Sequence, residues 1–320
     1  MGRYFLQRLL LVFPTVIGVT LILFALVRLV PGGVESALLG QDATPEKVHA
    51  IRHALGLDQP LWKQYVTWAG HAARGDLGKS IFQGTSVAKD IKTRIGWTFE
   101  LGGFALLFSI LIALPVGILA AIRQDSMLDY LARSFAIFGL SAPSFVLATL
   151  LIVYGSIGLH VGGIYLHFTP PLGREIGNSL SLNLQLIIPP ALILGIVLSG
   201  SVMRLTRTQM LEVMRQDYIR TARAKGLATG GVIMGHALRN AFIPVVTIIG
   251  LQVPVLVGGS VILEQIFSLP GMGFYLLYAI GQRDFTVIQG VVVVSATIVI
   301  LTNLLTDLTY SLLDPRIRSA

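Results

Sequence analysis

The basic segment at residues 204–239 is the part of this sequence whose residue types could do specific chemistry. It contains seven Lys and Arg residues and only two acidic residues. Guanidinium and ammonium groups at this density attract acidic partners, either the headgroups of anionic lipids or carboxylates on another protein. The segment therefore indicates a binding surface rather than a site where bonds are made or broken.

A short helix is expected inside this basic segment. Asp217 is placed to cap a helix over residues 218–225, whose last turn is cationic, and Gly226 is placed to end it in a left-handed conformation. Two turns of helix are marginal alone, because nucleation costs more free energy than so few hydrogen bonds return. We therefore expect the helix to pack on a neighbour. Two interpretations stay open: a connector lying on anionic headgroups, or a docking element for a soluble partner.

The other reactive residues form no recognisable catalytic set. His49 and His53 are spaced i, i+4, but no third metal ligand accompanies them. The sequence contains neither GxxxxGK[ST] nor GxSxG, so it predicts no phosphate-binding loop and no nucleophile elbow. It contains no cysteine, which excludes disulfides and thiolate metal sites. We expect no catalytic, cofactor or metal site in this chain.

The composition predicts a membrane protein. Of 320 residues, 54% are hydrophobic and 12% are charged, whereas an ordinary soluble domain has about 25% charged residues. The net charge of +8 could suggest nucleic acid as a partner, but seven of the 24 cations lie in one segment beside apolar runs. No basic stripe interleaved with aromatic residues is present, so we expect a lipid bilayer and no nucleic acid.

Six apolar runs predict an all-α polytopic fold with six transmembrane helices. The first run follows Arg3 and Arg8, but it is too long for a signal peptide and lacks a cleavage pattern, so we expect it to be retained. Several runs contain prolines and glycines, which either kink the helices or allow close packing. The predicted spans are 9–30, 101–122, 134–157, 184–203, 241–263 and 287–312.

The distribution of cations predicts that both termini are cytoplasmic. Thirteen Lys and Arg residues lie in the two termini, the turn after the second span and the basic segment, whereas the two short connections opposite contain only Arg174 and Arg283. The outer segment 31–97 is longer than about 60 residues, so its charges do not decide orientation. It predicts two helices, one from Pro45 to Gly56 and one after Pro60.

Three acidic residues lie within or at the ends of the predicted spans. Asp307 lies in the last third of the sixth span, and Glu100 and Glu264 lie at outer ends. Acids in lipid often face the bundle and serve transport. All three are also placed where they could reach an interface, so both interpretations stay open.

The run DYIRTARAKGLATGGVIMGHALRNAFIPVV resembles the signature of permease subunits of binding-protein-dependent ABC importers. The family's Glu-Ala-Ala, three residues, Gly pattern falls on Arg220, Thr221, Ala222 and Gly226, and its later Ile-x-Leu-Pro falls on 236–239, which read HALR here. The forms TARAKG and HALRNA are typical of the dipeptide, oligopeptide and nickel branch. The first span, the outer segment, the connection before the last span and the tail DPRIR also resemble that branch.

The resemblance implies a type I ABC importer permease with a small helical extracytoplasmic segment after its first helix. Residues 1–97 would form the first helix and this segment, and residues 98–316 the transmembrane domain with a cytoplasmic coupling loop at 204–240. The implied partners are a second homologous permease, two cytoplasmic ATPases that use the ATP, and an extracytoplasmic substrate-binding protein. The implied ATPase-coupling residues are Asp217, Tyr218, Arg220, Thr221, Ala222, Arg223, Gly226 and Arg239.

The resemblance places the chain in the cytoplasmic or inner membrane of a bacterium or archaeon and implies import of dipeptides or oligopeptides. Nickel chelates, glutathione or another small solute are the alternatives within the same branch. An integral membrane enzyme would need acids or histidines converging inside the spans, and a membrane anchor or sensor would tolerate scrambling of the basic segment. Both classes stay open on the residues alone.

Overall fold

The computed structural model describes residues 2–30, 44–54, 56–161, 164–166 and 180–313. A helical turn at Thr229–Gly231 and a π-helical stretch at Val232–Ala237 precede the helix that begins at Leu238. Strands β1 (Leu159–Val161) and β2 (Ile164–Leu166) form a small antiparallel hairpin that was not predicted. The helices are α1 (Gly2–Leu29), α2 (Pro45–Ala54), α3 (Leu61–Ala73), α4 (Val87–Ile122), α5 (Met127–Ser141), α6 (Ser144–Ile157), α7 (Leu180–Met214), α8 (Asp217–Ala224), α9 (Leu238–Ile266), α10 (Met272–Gln282) and α11 (Phe285–Leu313).

The number and type of spans agree with the prediction of an all-α membrane protein. Helices α1, α4, α7, α9 and α11 are each long and apolar enough to cross a bilayer. Helices α5 and α6 pass the same test only as a pair, bent by 97° at the break between them. The described part of the chain thus has five candidate spans, or six when the bent pair counts as one. The all-α, six-span fold class is confirmed.

The third predicted span, residues 134–157, is not the continuous helix that was expected. Ala142 is extended, with φ −80° and ψ 118°, and Pro143 occupies the N-cap position of α6. Proline has no N–H to donate and its ring disfavours helical backbone in the residue before it, so the helix ends here. Elsewhere proline does not break the helix: Pro115 lies inside α4, and Pro189 and Pro190 lie inside α7.

The two helices predicted in the outer segment are present. Helix α2 begins at Pro45, with the Val48 N–H donating to the Thr44 carbonyl at 3.0 Å, and Gly56 beyond its end has φ +65°. Helix α3 follows Pro60. Its polar side joins α1 through Gln64, whose side-chain oxygen accepts from Arg28 Nη2 at 3.1 Å.

Aromatic packing also joins α3 to α1. Tyr65 Oη lies 3.0 Å from Thr20 Oγ1, and the Phe24 and Tyr65 rings meet edge to face with their centroids 5.5 Å apart. The Trp68 ring lies 6.0 Å from the Phe24 ring, centroid to centroid, whereas Leu61 at the start of α3 is exposed. These contacts belong to a compact unit formed by Gly2–Thr98 and Pro270–Leu304. The core of that unit includes Val87, Ile91, Met272, Tyr275, Ala279, Val287 and Val291.

The other compact unit contains Phe99–Leu269 and the chain from Leu305 onward. Helices α5 and α7 approach each other closely in it, because glycine occupies both sides of the contact. A Cβ atom at Gly139 would lie 2.9 Å from the Ile196 carbonyl oxygen, and one at Gly200 would lie 2.6 Å from the Ala136 carbonyl oxygen. Close backbone approach of this kind is how small residues join membrane helices. This contact holds α7, the helix that leads into α8, against α5.

Candidate functional site

Helix α8 occupies the position of the short helix predicted in the basic segment. It spans Asp217–Ala224, and Gln216 is its N-cap residue, without a side-chain capping hydrogen bond. The prediction that Asp217 caps this helix is wrong, because the Gln216 carbonyl already accepts from the Arg220 N–H at 3.3 Å. Asp217 lies instead in the first turn, where its carboxylate faces the positive end of the helix dipole and lies 3.4 Å from Arg220 Nη1.

Gly226 ends this segment with left-handed backbone, as predicted. Its φ is +81°, and its N–H donates to the Arg223 carbonyl at 2.9 Å, while the Lys225 N–H donates to the Thr221 carbonyl at 3.0 Å. A Cβ added at Gly226 would meet no atom within 4 Å. Glycine is therefore required here by the backbone conformation and not by lack of space.

One face of α8 is anchored in the protein, as expected for so short a helix. Ile219 is fully buried and Ala222 almost so. They pack into a cluster with Met210 of α7 and residues of the segment that leads into α9; its other buried members are Ala121, Val232, Ile233, Ala237 and Ala241. Ala222, which the resemblance assigned to ATPase coupling, thus belongs to the inner face of the helix.

The opposite face of α8 is charged and open. The Asp217 and Arg220 side chains are 95% and 77% exposed, and Thr221 and Arg223 are also exposed. The Thr221 hydroxyl donates to the Asp217 carbonyl at 3.0 Å, so the outward charged groups are the Asp217 carboxylate and the two guanidinium groups. Arg220 and Arg223 are three residues apart, a spacing that places them on neighbouring positions of one helix face. The structure brings most of the predicted residues together on a surface that a partner can reach.

Tyr218 connects α8 to the start of α9. Its hydroxyl accepts a hydrogen bond from Asn240 Nδ2 at 2.8 Å, and the residue is 42% exposed. Arg239, the remaining predicted residue, directly precedes Asn240 and is exposed. The Tyr218–Asn240 hydrogen bond therefore links the outer part of α8 to the helix turn that carries Arg239.

The π-helical stretch before α9 was not predicted. Val232–Ala237 has the wider winding of a π-helix, and Val232, Ile233 and Ala237 point into the cluster beneath α8. Single π-helical turns are rare overall, and many of those that occur lie at functional sites. No sequence signal that we used distinguishes this winding from an ordinary α-helix.

A buried ion-pair cluster next to this region was also missed. Asp129, in the first turn of α5, is fully buried, and its two carboxylate oxygens accept from Arg207 Nε at 2.6 Å and Arg207 Nη2 at 2.8 Å. Arg133 of α5 pairs with the same carboxylate, and the Asp125 N–H donates to it at 3.0 Å. The i, i+4 spacing of Asp129 and Arg133 was the available sequence signal. Arg207 lies 78 residues from Asp129 in the sequence, so local spacing could not identify it as a partner of this carboxylate.

The acidic residues at the predicted spans occupy different environments. Glu264 is fully buried among other residues of the chain. Asp307 is half-buried and Glu100 is exposed. On the outer segment, His53 Nε2 lies 3.9 Å from Asp58 Oδ2. Among the residues with described positions, no three His, Asp or Glu side chains are grouped as metal ligands.

This fold and site define a class of protein: a multi-pass helical membrane protein with a charged, anchored helix outside its spans. Comparison with protein families makes the assignment specific. Residues 113–319 match the family described as binding-protein-dependent transport system inner membrane component. Residues 1–101 match the N-terminal membrane-component family of the same transport systems. The chain belongs to this family and is a multi-pass inner-membrane transport subunit.

Named relatives align with the chain from end to end. The dipeptide transport system permease protein DppB of Escherichia coli K12 is 41% identical over an alignment of 337 positions, gaps included, which covers 99% of each chain. The protein of the same name in Alkalihalophilus pseudofirmus is 39% identical and covers 99% of this chain and 100% of its own. The di/tripeptide transport system permease protein DppB of Pseudomonas aeruginosa is 39% identical, with 99% of each chain covered. The predicted membership of the dipeptide and oligopeptide branch of ABC importer permeases is confirmed.

Proposed function

We propose that this permease subunit imports dipeptides or oligopeptides. The observation that carries this proposal is the full-length similarity to relatives named for dipeptide or di/tripeptide transport, which covers 99% of this chain. A substrate path is built by the whole helical bundle, so similarity along all spans supports a shared substrate class better than similarity in one loop does. The energy for import would come from ATP used by partner subunits.

The proposed coupling element is the stretch from Asp217 to Gly226 together with Arg239. Support comes from the two faces of α8: Ile219 and Ala222 hold it to the bundle, and Arg220 and Arg223 face outward. An acidic groove on an ATPase would receive the guanidinium groups, which steer association and fix its register. Movement of the docked ATPase would then reach α7 through the packing of Ile219 on Met210.

The proposed assembly contains this chain, a second homologous permease, two cytoplasmic ATPases and an extracytoplasmic substrate-binding protein. Both termini and the basic segment would be cytoplasmic, in accordance with the distribution of cations. Residues 1–97 would serve the outer side, and residues 98–316 would form the transmembrane domain. Opening of the substrate path to each side of the membrane in turn would then depend on movement of α7 and its neighbours.

Reconstitution of the complete transporter tests the proposed substrate. Proteoliposomes containing this chain and its genomic partners are expected to accumulate a labelled dipeptide only with ATP and the binding protein present. Unlabelled dipeptide should compete, whereas a nickel chelate or glutathione should not. Accumulation of either of these in place of dipeptide would contradict the peptide assignment while leaving the permease class unchanged.

A further inference from the structure

An apolar groove of about 330 Å³ lies between α5 and α7 and is bordered by arginines. Its walls include Ala136, Leu140 and Met203. The α5–α7 pair is antiparallel, because Asp129 meets Arg207 at one end and Gly139 meets Ile196 at the other. Arg207 therefore lies at the Asp129 end of the groove, and Leu140 lies toward the opposite end.

The arginines that line this groove carry more positive charge than their partners neutralise. Arg133 and Arg207 share the carboxylate of Asp129, and Arg133 also pairs with Asp125 at 3.2 Å. Arg204 is exposed, and no carboxylate within the described ranges forms an ion pair with it. An anion that enters the groove therefore meets a guanidinium group that is free to bind it.

We propose that this groove binds one anionic phospholipid, with its phosphate at Arg204 and an acyl chain along the wall that leads to Leu140. An apolar cavity of about 150 Å³ can stay dry and bind apolar ligands. Basic pockets between membrane helices at headgroup depth bind anionic lipid headgroups. A phospholipid is the molecule of the bilayer that combines these two chemistries.

The side chains beside the groove provide access from the bilayer. Ile137 is 64% exposed and Leu140 is 46% exposed, and both line the groove. They continue the apolar wall from inside the groove onto the outer face of α5. An acyl chain can enter along them without crossing polar surface. A soluble anion would find no partner for this apolar wall, which favours a lipid over free phosphate.

Native mass spectrometry of the purified complete transporter tests the proposal with phosphatidylglycerol and phosphatidylcholine as probes. We expect one phosphatidylglycerol to stay bound per copy of this chain, in preference to phosphatidylcholine. Arg204→Gln should weaken its binding about fivefold, since one Arg near anionic lipid contributes about 1 kcal/mol. The matched control is Arg123→Gln, which removes an exposed arginine that does not line the groove and should leave binding unchanged.

Equal retention of the two lipids would overturn the proposal, and so would equal weakening by the two arginine variants. A second measurement locates the bound molecule and does not depend on Arg204. The chain has no cysteine, so Leu140→Cys provides a unique attachment point in the groove. A thiol-reactive phosphatidylglycerol is expected to label it, whereas cross-linking to the second permease would show that a protein helix fills the groove. Neither measurement needs substrate or ATP, so the result is independent of the proposed import of peptides.

Discussion

Arg207 binds the fully buried carboxylate of Asp129 with two parallel hydrogen bonds of 2.6 and 2.8 Å, joining the start of α5 to α7. A bidentate pair fixes orientation as well as distance. Arg207 lies three residues before Met210, which packs under α8. The ion pair thus holds the end of α7 from which the proposed coupling helix is positioned.

Replacing Asp129 with Asn should destabilise the protein more than any exposed charge change. The substitution leaves Arg207 and Arg133 without their shared carboxylate and should lower the free energy of unfolding by about 3 kcal/mol. This value is at the lower end for a buried pair, because Arg207 keeps some contact with water. Thermal unfolding of the purified chain in detergent measures this loss of stability. Glu212→Gln, an exposed carboxylate on α7, should change stability by less than about 0.5 kcal/mol. Equal stability of the two variants would rule out a structural role for the pair.

Gly226→Val should damage transport while the protein still inserts. A β-branched residue at φ +81° is strained by about 1–3 kcal/mol, and the strain falls at the end of α8 rather than in the spans. Gly226→Asn should retain most uptake, because Asn tolerates left-handed backbone. Substrate uptake and membrane yield measured together test this. Normal uptake by Gly226→Val would mean that this turn does not serve coupling.

Reversing the charge of Arg220 and Arg223 together should weaken binding of the ATPase by about tenfold or more. Like charges facing each other across an interface cost several kcal/mol, and the Arg220 side chain is 77% exposed, so the fold should not suffer. Co-purification of the ATPase with the double Glu variant measures the loss. Arg123→Glu, an exposed arginine outside α8, is the control. Unchanged co-purification of the double variant would refute docking through these residues.

Ile219→Ala should loosen α8 without altering its charged face. Truncation of a fully buried isoleucine costs about 2–5 kcal/mol, which is large for a helix of eight residues. Faster hydrogen exchange across residues 217–226 is expected, together with weaker ATPase co-purification. Leu227→Ala, at an exposed position, should affect neither measurement. Slow exchange in the Ile219 variant would show that other contacts anchor the helix.

The membrane topology is testable with single cysteines, since the chain has none. A cysteine at Asp58 should react with an impermeant thiol reagent in spheroplasts with an intact cytoplasmic membrane, whereas cysteines at Asp125 and Gly226 should react only after permeabilisation. Arg174, also predicted to be outside, lies outside the described residues. Labelling at position 226 in those intact spheroplasts would invert the proposed orientation and remove α8 from the cytoplasm.

The sequence by itself determined the features that depend on local residue type. Apolar runs predicted the spans because crossing a bilayer demands a continuous hydrophobic length. Gly226 was assigned left-handed backbone because only glycine adopts it without strain. The motif around Arg220 identified the family through residue order alone. Asp217 shows the limit of local inference, because its type fits an N-cap while the helix begins one residue earlier.

Only the tertiary structure decided which distant residues meet. Asp129 and Arg207 are 78 residues apart, and nothing in either local segment specifies that pairing. The inward face of α8 depends on Met210 and the π-helical stretch being folded around Ile219. A proline alone likewise did not reveal the break between α5 and α6, where the helices bend by 97°, since Pro115 lies within a continuous helix. Side-chain packing between segments sets these features, and that information is not contained in any one segment.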